Sequence, residues 1–256
     1  MGGADAITRN LPTGPRPSAG YDRPVLRAIL FDFNGVLVDD EPIHLEMIRR
    51  VATEEGLLGA DEELGSDFVG LGDETCFQRL LARSGEPATP ARVSRLLARK
   101  RSYYREQIRR QGFPIFAGTV ELVEASAKAG LVLGVVSNAL QEEVTAALAQ
   151  AGLAERFKVL VTAADVTSPK PNPEPYQKAL EALNSEPPLP DRMIHPHEVL
   201  AVEDTPVGLQ SATQAGLSTV AVGHSFPTAE LASADLVFDT LAEMELPAVL
   251  EYFSET

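Results

Sequence analysis

The apolar positions change their spacing twice along the chain. A nearly continuous apolar run from Val25 to Phe31 stops on Asp32, and Gly35 follows at once. Such a run bounded by a turn glycine predicts a buried strand, with a carboxylate at its C-terminal end. From His44 to about Gly112 the spacing becomes helical. Ile43, Met47, Ile48 and Val51 mark one helix. Phe77, Leu80 and Leu81 mark a second, and Val93, Leu96, Leu97, Tyr104 and Ile108 a third. Ser66-Asp67 and the 70–74 segment break the pattern between them, as expected for a small helical insertion.

From Pro114 strands and helices alternate. Helices are predicted over 120–129, 142–151, 175–183 and 207–215, three of them followed by a glycine (Gly130, Gly152, Gly216). Strands are predicted over 131–137, 159–162, 199–202 and 218–222, with an edge strand at 236–238 and a loop over 187–198. Alternation of this kind predicts an α/β fold, a doubly wound parallel sheet. The expected organisation is a core of residues 25–41 and 113–256, a helical cap of 42–112, and a disordered N-terminal extension, 1–24, rich in Gly, Pro and Ala.

Composition narrows the function. A formal net charge of −15 and a pI near 4.7 argue against a nucleic-acid binder. No apolar run reaches the roughly 18–20 residues of a membrane span, so no membrane partner is expected. Residues 1–24 lack the apolar centre of a secretory signal. The single cysteine, Cys76, precludes an intrachain disulfide and fits a cytoplasmic protein. With no cation nearby in sequence, Cys76 reads as a small half-buried residue rather than a nucleophile. A monomer or weak homo-oligomer is expected.

Four polar segments each follow a predicted strand: Asp32-Phe33-Asn34, Ser137-Asn138, Ser168-Pro169-Lys170-Pro171 and Glu203-Asp204. Any one of them alone would read as a helix cap or solvated loop. In a parallel sheet all four converge on one rim, where ligands bind. Asp32 and Asp204 can share a hard divalent cation, with Glu203 as a further or water-mediated ligand; oxygen ligands of this kind suit Mg²⁺. Ser137 offers a hydroxyl at a strand-to-helix turn. Lys170, stiffened by flanking prolines, can neutralise charge on a phosphoryl group. A carboxylate nucleophile, a cation, a hydroxyl and a lysine make a phosphoryl-transfer set, with a small phosphorylated metabolite as the expected partner.

These residues resemble the haloacid dehalogenase superfamily, in the branch that carries a helical cap after the first strand and includes phosphoglycolate-phosphatase-like and β-phosphoglucomutase-like proteins. The first motif of the family, DxDGxxxD, is matched by Asp32-Phe33-Asn34-Gly35 and Asp39, except at Asn34. Ser137 matches the second motif, Lys170-Pro171-Asn172-Pro173 the third, and Glu203-Asp204-Thr205-Pro206-Val207-Gly208 the fourth. The resemblance implies a Rossmann-like core with a mobile four-helix cap. It implies that Asp32 attacks phosphorus to give an aspartyl-phosphate, that Mg²⁺ is held by Asp32, the carbonyl of Asn34 and Asp204, and that Ser137 and Lys170 hold phosphoryl oxygens.

Asn34 departs from the pattern. The family places its acid/base aspartate there, and an amide can neither protonate a leaving group nor activate water. Three explanations are open: a substitute among Asp39, Asp40, Glu41 and His44; a substrate with a good leaving group; or loss of hydrolysis with retention of binding. The phosphomutase alternative needs proton transfer even more, so Asn34 counts against it. Lys170, Glu203 and Asp204 argue against a metal-free dehalogenase. A phosphonate hydrolase with a cap lysine stays open through Lys100.

In the cap, Lys100 and Tyr104 match a K-x-x-x-Y pattern that reaches the substrate in β-phosphoglucomutase-like relatives. His44 matches a position commonly histidine in this branch, and Gly70-Leu71-Gly72 fits the cap specificity loop. The many arginines of the third cap helix read as a solvated face. His195 and His197 read as a surface connection, and His224 as a rim-loop residue.

Overall fold

The computed structural model describes residues 26–68 and 71–254. The expectations for residues 1–24 and for Gly70 lie outside them. The chain divides into two compact units, one of Asp39–Pro114 and one made of the chain up to Val38 and from Ile115 onward.

The larger unit is built on a parallel sheet of six strands in the order β3-β2-β1-β4-β5-β6. They are β1 (Ala28–Phe31), β2 (Val132–Val136), β3 (Phe157–Val161), β4 (Val199–Glu203), β5 (Ser218–Val222) and β6 (Leu236–Phe238). The central strands β1 and β4 are buried along their whole length, which is why they read as unbroken apolar runs. β3 begins two residues before its expected start, because Lys158 interrupts the pattern. Its ammonium leaves the strand to donate to the carbonyls of Leu183 and Pro188.

Strand order reverses around β1: the chain runs outward through β2 and β3, then returns to pair β4 on the other side. The crevice at the carboxyl ends of β1 and β4 is therefore the topological switch point of the sheet. A core of Ala28, Leu30, Val136, Val159, Val161, Tyr176, Ala179 and Leu183, with neighbours from β4 and beyond, packs against it. Each fully buried large aliphatic contributes about 1.5–3 kcal/mol. The rim is thereby fixed to a rigid base.

Within this unit Val38 pairs with Ile115 in an antiparallel bridge, and Phe116 N–H donates to Leu37 O at 3.1 Å. The two points where the chain leaves and re-enters the unit are thus side by side.

The smaller unit holds α1 (Glu41–Glu54), α2 (Asp73–Ser84) and α3 (Pro90–Gln111). A 3-10 turn, Ser66–Phe68, lies between α1 and α2. Its described residues contain three α-helices, one fewer than the family resemblance implied. α3 starts where Thr89 accepts a hydrogen bond from Arg92 N–H and Pro90 presets the first turn. The unit has its own core, in which Ile48, Val51, Phe68, Phe77, Leu80, Leu81, Val93 and Leu96 meet. Cys76 is fully buried in it rather than half-buried, and burial, with Asp73 next, pushes its thiol up to about 11.

The remaining helices belong to the larger unit: α4 (Thr119–Lys128), α5 (Gln141–Gln150), α6 (Glu174–Ser185), α7 (Pro206–Gln214) and α8 (Leu246–Ser254). α8 has no counterpart in the sequence reading. No helix among the described residues is long and apolar enough to cross a membrane.

Candidate active site

The ends of β1, β2 and β4, and the loop after β3, deliver the groups at the rim. Asp32 follows β1, and its backbone N–H donates to Val202 O at 2.9 Å, continuing the ladder with β4 one residue past the strand. Its carboxylate accepts the N–H of Phe33 at 2.7 Å. Asn34 is half-buried in the turn that follows, where Gly35 has φ +79°. A side chain on Gly35 would fall 1.8 Å from Asp204 Oδ2, so this position needs both glycine's left-handed backbone and its missing Cβ.

Ser137 ends β2 and is buried. Its Oγ accepts Ala139 N–H at 2.9 Å, which leaves the hydroxyl proton to donate. Asn138, next to it, is exposed.

Lys170 joins three strand ends. Its Nζ donates to Val136 O at 2.8 Å and to Glu203 Oε1 at 2.7 Å, and lies 3.0 Å from Asp32 Oδ1. Burial opposes its charge, but Asp32 and Glu203 prevail and raise it above the ordinary lysine value. The loop carrying Lys170 is pinned by Glu174, whose carboxylate accepts the N–H groups of Thr167 and Ser168 at 2.9 and 2.8 Å. The hydrogen bond from Thr167 N–H, then the one from Lys178, lowers Glu174 to about 2.

Glu203 and Asp204 divide the work. Glu203 is fully buried, and its Oε1 takes both Lys170 and the hydroxyl of Tyr176, the latter at 2.6 Å. Oε2 receives the longer contact from Thr205 Oγ1, at 3.5 Å. Asp204 receives Ser225 Oγ on Oδ2, whereas its buried Oδ1 has no partner among the described residues.

That orphaned oxygen tests the expected cation. A buried carboxylate oxygen without a donor is costly unless a ligand completes it. Asp32, Glu203 and Asp204 each place an oxygen within 4.8 Å of the others, and the ammonium of Lys170 pairs with Asp32 and Glu203. Burial and then repulsion from Asp32 and Glu203 push Asp204 well above the usual carboxylate range. Burial raises Asp32 to about 7 even beside Lys170. An all-oxygen, charge-crowded set of this kind fits a hard divalent cation such as Mg²⁺.

The other expected site residues, His44 and Lys100, meet one another inside the smaller unit. Lys100 is buried, contacts His44 Nδ1, and donates to Asp73 Oδ2 at 2.8 Å. His44 Nε2 is 3.1 Å from the buried Asp40 Oδ2, which also accepts Tyr104 OH at 2.5 Å. The imidazole stacks on the Tyr104 ring at 4.4 Å. Burial and the nearby Lys100 disfavour an imidazolium here. Hydrogen bonds to Asp40 and Asp73 outweigh them and raise His44 to about 9. Burial would raise Asp73, but His44 and Lys100 together lower it to about 2. Lys100 thus stands as one partner in a buried ionic cluster. His195 and His197 are exposed and stacked on each other.

Sequence reasoning missed three residues of this site. Tyr176 and Glu174 lie just past the Lys170 motif, and Glu174, in the first turn of α6, was readable as a loop clamp. Ser225 follows β5, where nothing local marks it; its neighbour His224, expected in a rim loop, lies there.

A six-stranded parallel sheet with acidic residues and a lysine at its switch point defines a Rossmann-like hydrolase. The family model for haloacid dehalogenase-like hydrolases matches residues 29–222, and the chain belongs to that family. The chain is 31% identical to the N-acetylmuramic acid 6-phosphate phosphatase of Pseudomonas aeruginosa, over 78% of this chain and 83% of the relative. It is 28% identical to the phosphoglycolate phosphatase of Pectobacterium atrosepticum, over 88% of this chain and 92% of that one. Among solved structures, CbbY from Rhodobacter sphaeroides in complex with phosphate shares the fold, with a TM-score of 0.71 and 24% identity. It covers 87% of this chain and 98% of its own.

Proposed function

We propose that the protein is a Mg²⁺-dependent phosphatase of a small phosphorylated metabolite, with Asp32 as nucleophile. The observation that carries this reading is the juxtaposition of Asp32 with Lys170 at 3.0 Å, beside the partnerless Asp204 Oδ1. The activities named for the relatives support it.

Asp32, Asp204 and the carbonyl of Asn34 would hold the cation, with Glu203 Oε2 as a further or water-mediated ligand. A bound divalent cation supplies charge neutralisation at the phosphoryl oxygens and keeps the crowded carboxylates ionised. Lys170 and the Ser137 hydroxyl bind the remaining phosphoryl oxygens. A carboxylate oxygen of Asp32 forms a bond to phosphorus as the bond to the leaving oxygen breaks. Water then attacks the aspartyl-phosphate and releases phosphate, restoring Asp32. The turn after Asp32 brings Asn34, which has no proton to give the leaving oxygen and no basic oxygen to activate the water. Hydrolysis therefore draws its acid from another group or from the substrate's own leaving tendency.

Asn34 also favours a second reading, a phosphometabolite-binding protein that has kept the cation site and lost turnover. The deciding experiment is Mg²⁺-dependent phosphate release from sugar phosphates, phosphoglycolate, nucleotides and acetyl phosphate, with Asp32→Asn as control. Release abolished in the control supports the phosphatase. Stabilisation by ligand with no release from any substrate supports the binding protein.

A further inference from the structure

One loop reaches both sides of the candidate cation site. Directly after β5, Gly223 N–H donates to Phe238 O at 2.9 Å and anchors the segment. The next residue, His224, uses both ring nitrogens on backbone. Leu241 N–H donates to Nε2 at 3.1 Å, so Nδ1 carries the ring proton and donates it to Gly35 O at 2.8 Å. The imidazole lies flat on Phe116, 3.9 Å between centroids and 14° between planes. Ring stacking and two directional bonds leave the imidazole a single orientation and a single tautomer. Ser225 then donates to Asp204 Oδ2, which turns Oδ1 to the side where it has no partner.

Gly35, Asp204 and Ser225 are packed at their closest limit, since a Cβ on Gly35 would also fall 2.8 Å from Ser225 Oγ. Moving the Gly35 carbonyl displaces the peptide joining it to Asn34, whose own carbonyl is a proposed ligand.

We infer that His224 and Ser225 are positioning residues for the divalent cation: His224 fixes the Asn34-Gly35 turn through the Gly35 carbonyl, and Ser225 fixes the carboxylate of Asp204. The inference rests on the cation-dependent reading above. Groups that orient metal ligands typically govern affinity by about 10–100-fold when removed.

The test is Mn²⁺ binding, followed by electron paramagnetic resonance with Mg²⁺ competition, on the full chain. His224→Phe keeps the ring on Phe116 and loses both hydrogen bonds; Ser225→Ala loses one. Both are expected to weaken Mn²⁺ about tenfold or more while the far-ultraviolet spectrum stays native. His224→Asn, whose amide nitrogen takes the place of Nδ1, is expected to recover affinity. Melting temperature without metal is recorded in parallel. A lower melting temperature with unchanged Mn²⁺ affinity in both variants would mean a purely structural loop, and the inference fails. A wild-type chain that binds neither Mn²⁺ nor Mg²⁺ overturns the cation reading itself, and this inference with it.

Discussion

Asn34 occupies the one position where the residue type and the proposed chemistry pull apart. If the missing carboxyl limits hydrolysis, Asn34→Asp should raise turnover on a phosphomonoester by about 10²-fold or more, since general acid–base catalysis is typically worth 10²–10⁴. Initial rates of phosphate release at saturating Mg²⁺ measure this, and an unchanged rate would show that another group already does the work. Lys170 offers a test of the opposite sign. Its ammonium serves Asp32 and the fully buried Glu203 together. Lys170→Met should cost about 3–5 kcal/mol by urea denaturation, because it strands a buried carboxylate. His44 carries a pH signature. Its value rises from 6.5 to about 9 on folding, so its contribution is complete below pH 6.5 and lost as pH climbs through 9. Asp73, lowered from 3.8 to about 2, loses its contribution only as pH falls through that lower range. Amide exchange in α1 and α3, corrected for intrinsic rates, should therefore speed up between pH 6.5 and 9. In His44→Gln that increase should disappear.

At the scale of elements, close approach matters more than propensity. α7 begins on the Thr205 cap, and Gly208 in its first turns lets the helix lie directly over Glu203; an added Cβ would fall 2.0 Å from Oε2. Gly208→Ala is expected to cost about 1–3 kcal/mol through overpacking, and to displace Glu203 from Lys170 and Tyr176. Thermal melting and an activity assay would register both effects, and a fully active, equally stable variant would contradict the packing. The same glycine shows what the chain made legible. Glu203-Asp204-Thr205-Pro206-Val207-Gly208 could be read as a motif, and β4 as a strand, because each is a local pattern. β5 and β6 were read to the residue for the same reason. α8, a nine-residue helix beyond the last strand, went unread. Tyr176, His224 and Ser225 act across separations of 17 to 189 residues, on partners that only the folded chain brings near.

For the molecule as a whole, the excess of acidic residues and the crowded rim would make the proposed cation binding a matter of stability as well as chemistry. A ligand at one hundred times its dissociation constant adds about 2.7 kcal/mol. For a chain of this size each kcal/mol moves the melting temperature by about 2–4 °C. Saturating Mg²⁺ should therefore raise the transition of the larger unit by about 5–10 °C over a chelated sample. Asp204→Asn should erase most of that rise, and an Asp204→Asn protein that still gains it would place the cation elsewhere.

The bridge between Val38 and Ile115 has a consequence of its own. A chain that departs and returns at adjacent residues treats everything in between as a detachable parenthesis. The excision of Asp39–Pro114 leaves two ends that a tight turn of about two residues can join, in the manner of a hairpin. The sheet and the groups on its rim would then be encoded by one shortened chain. Any helical module whose termini lie equally close could be written into the same gap, which makes this junction a natural place to exchange one helical unit for another while leaving the sheet unchanged.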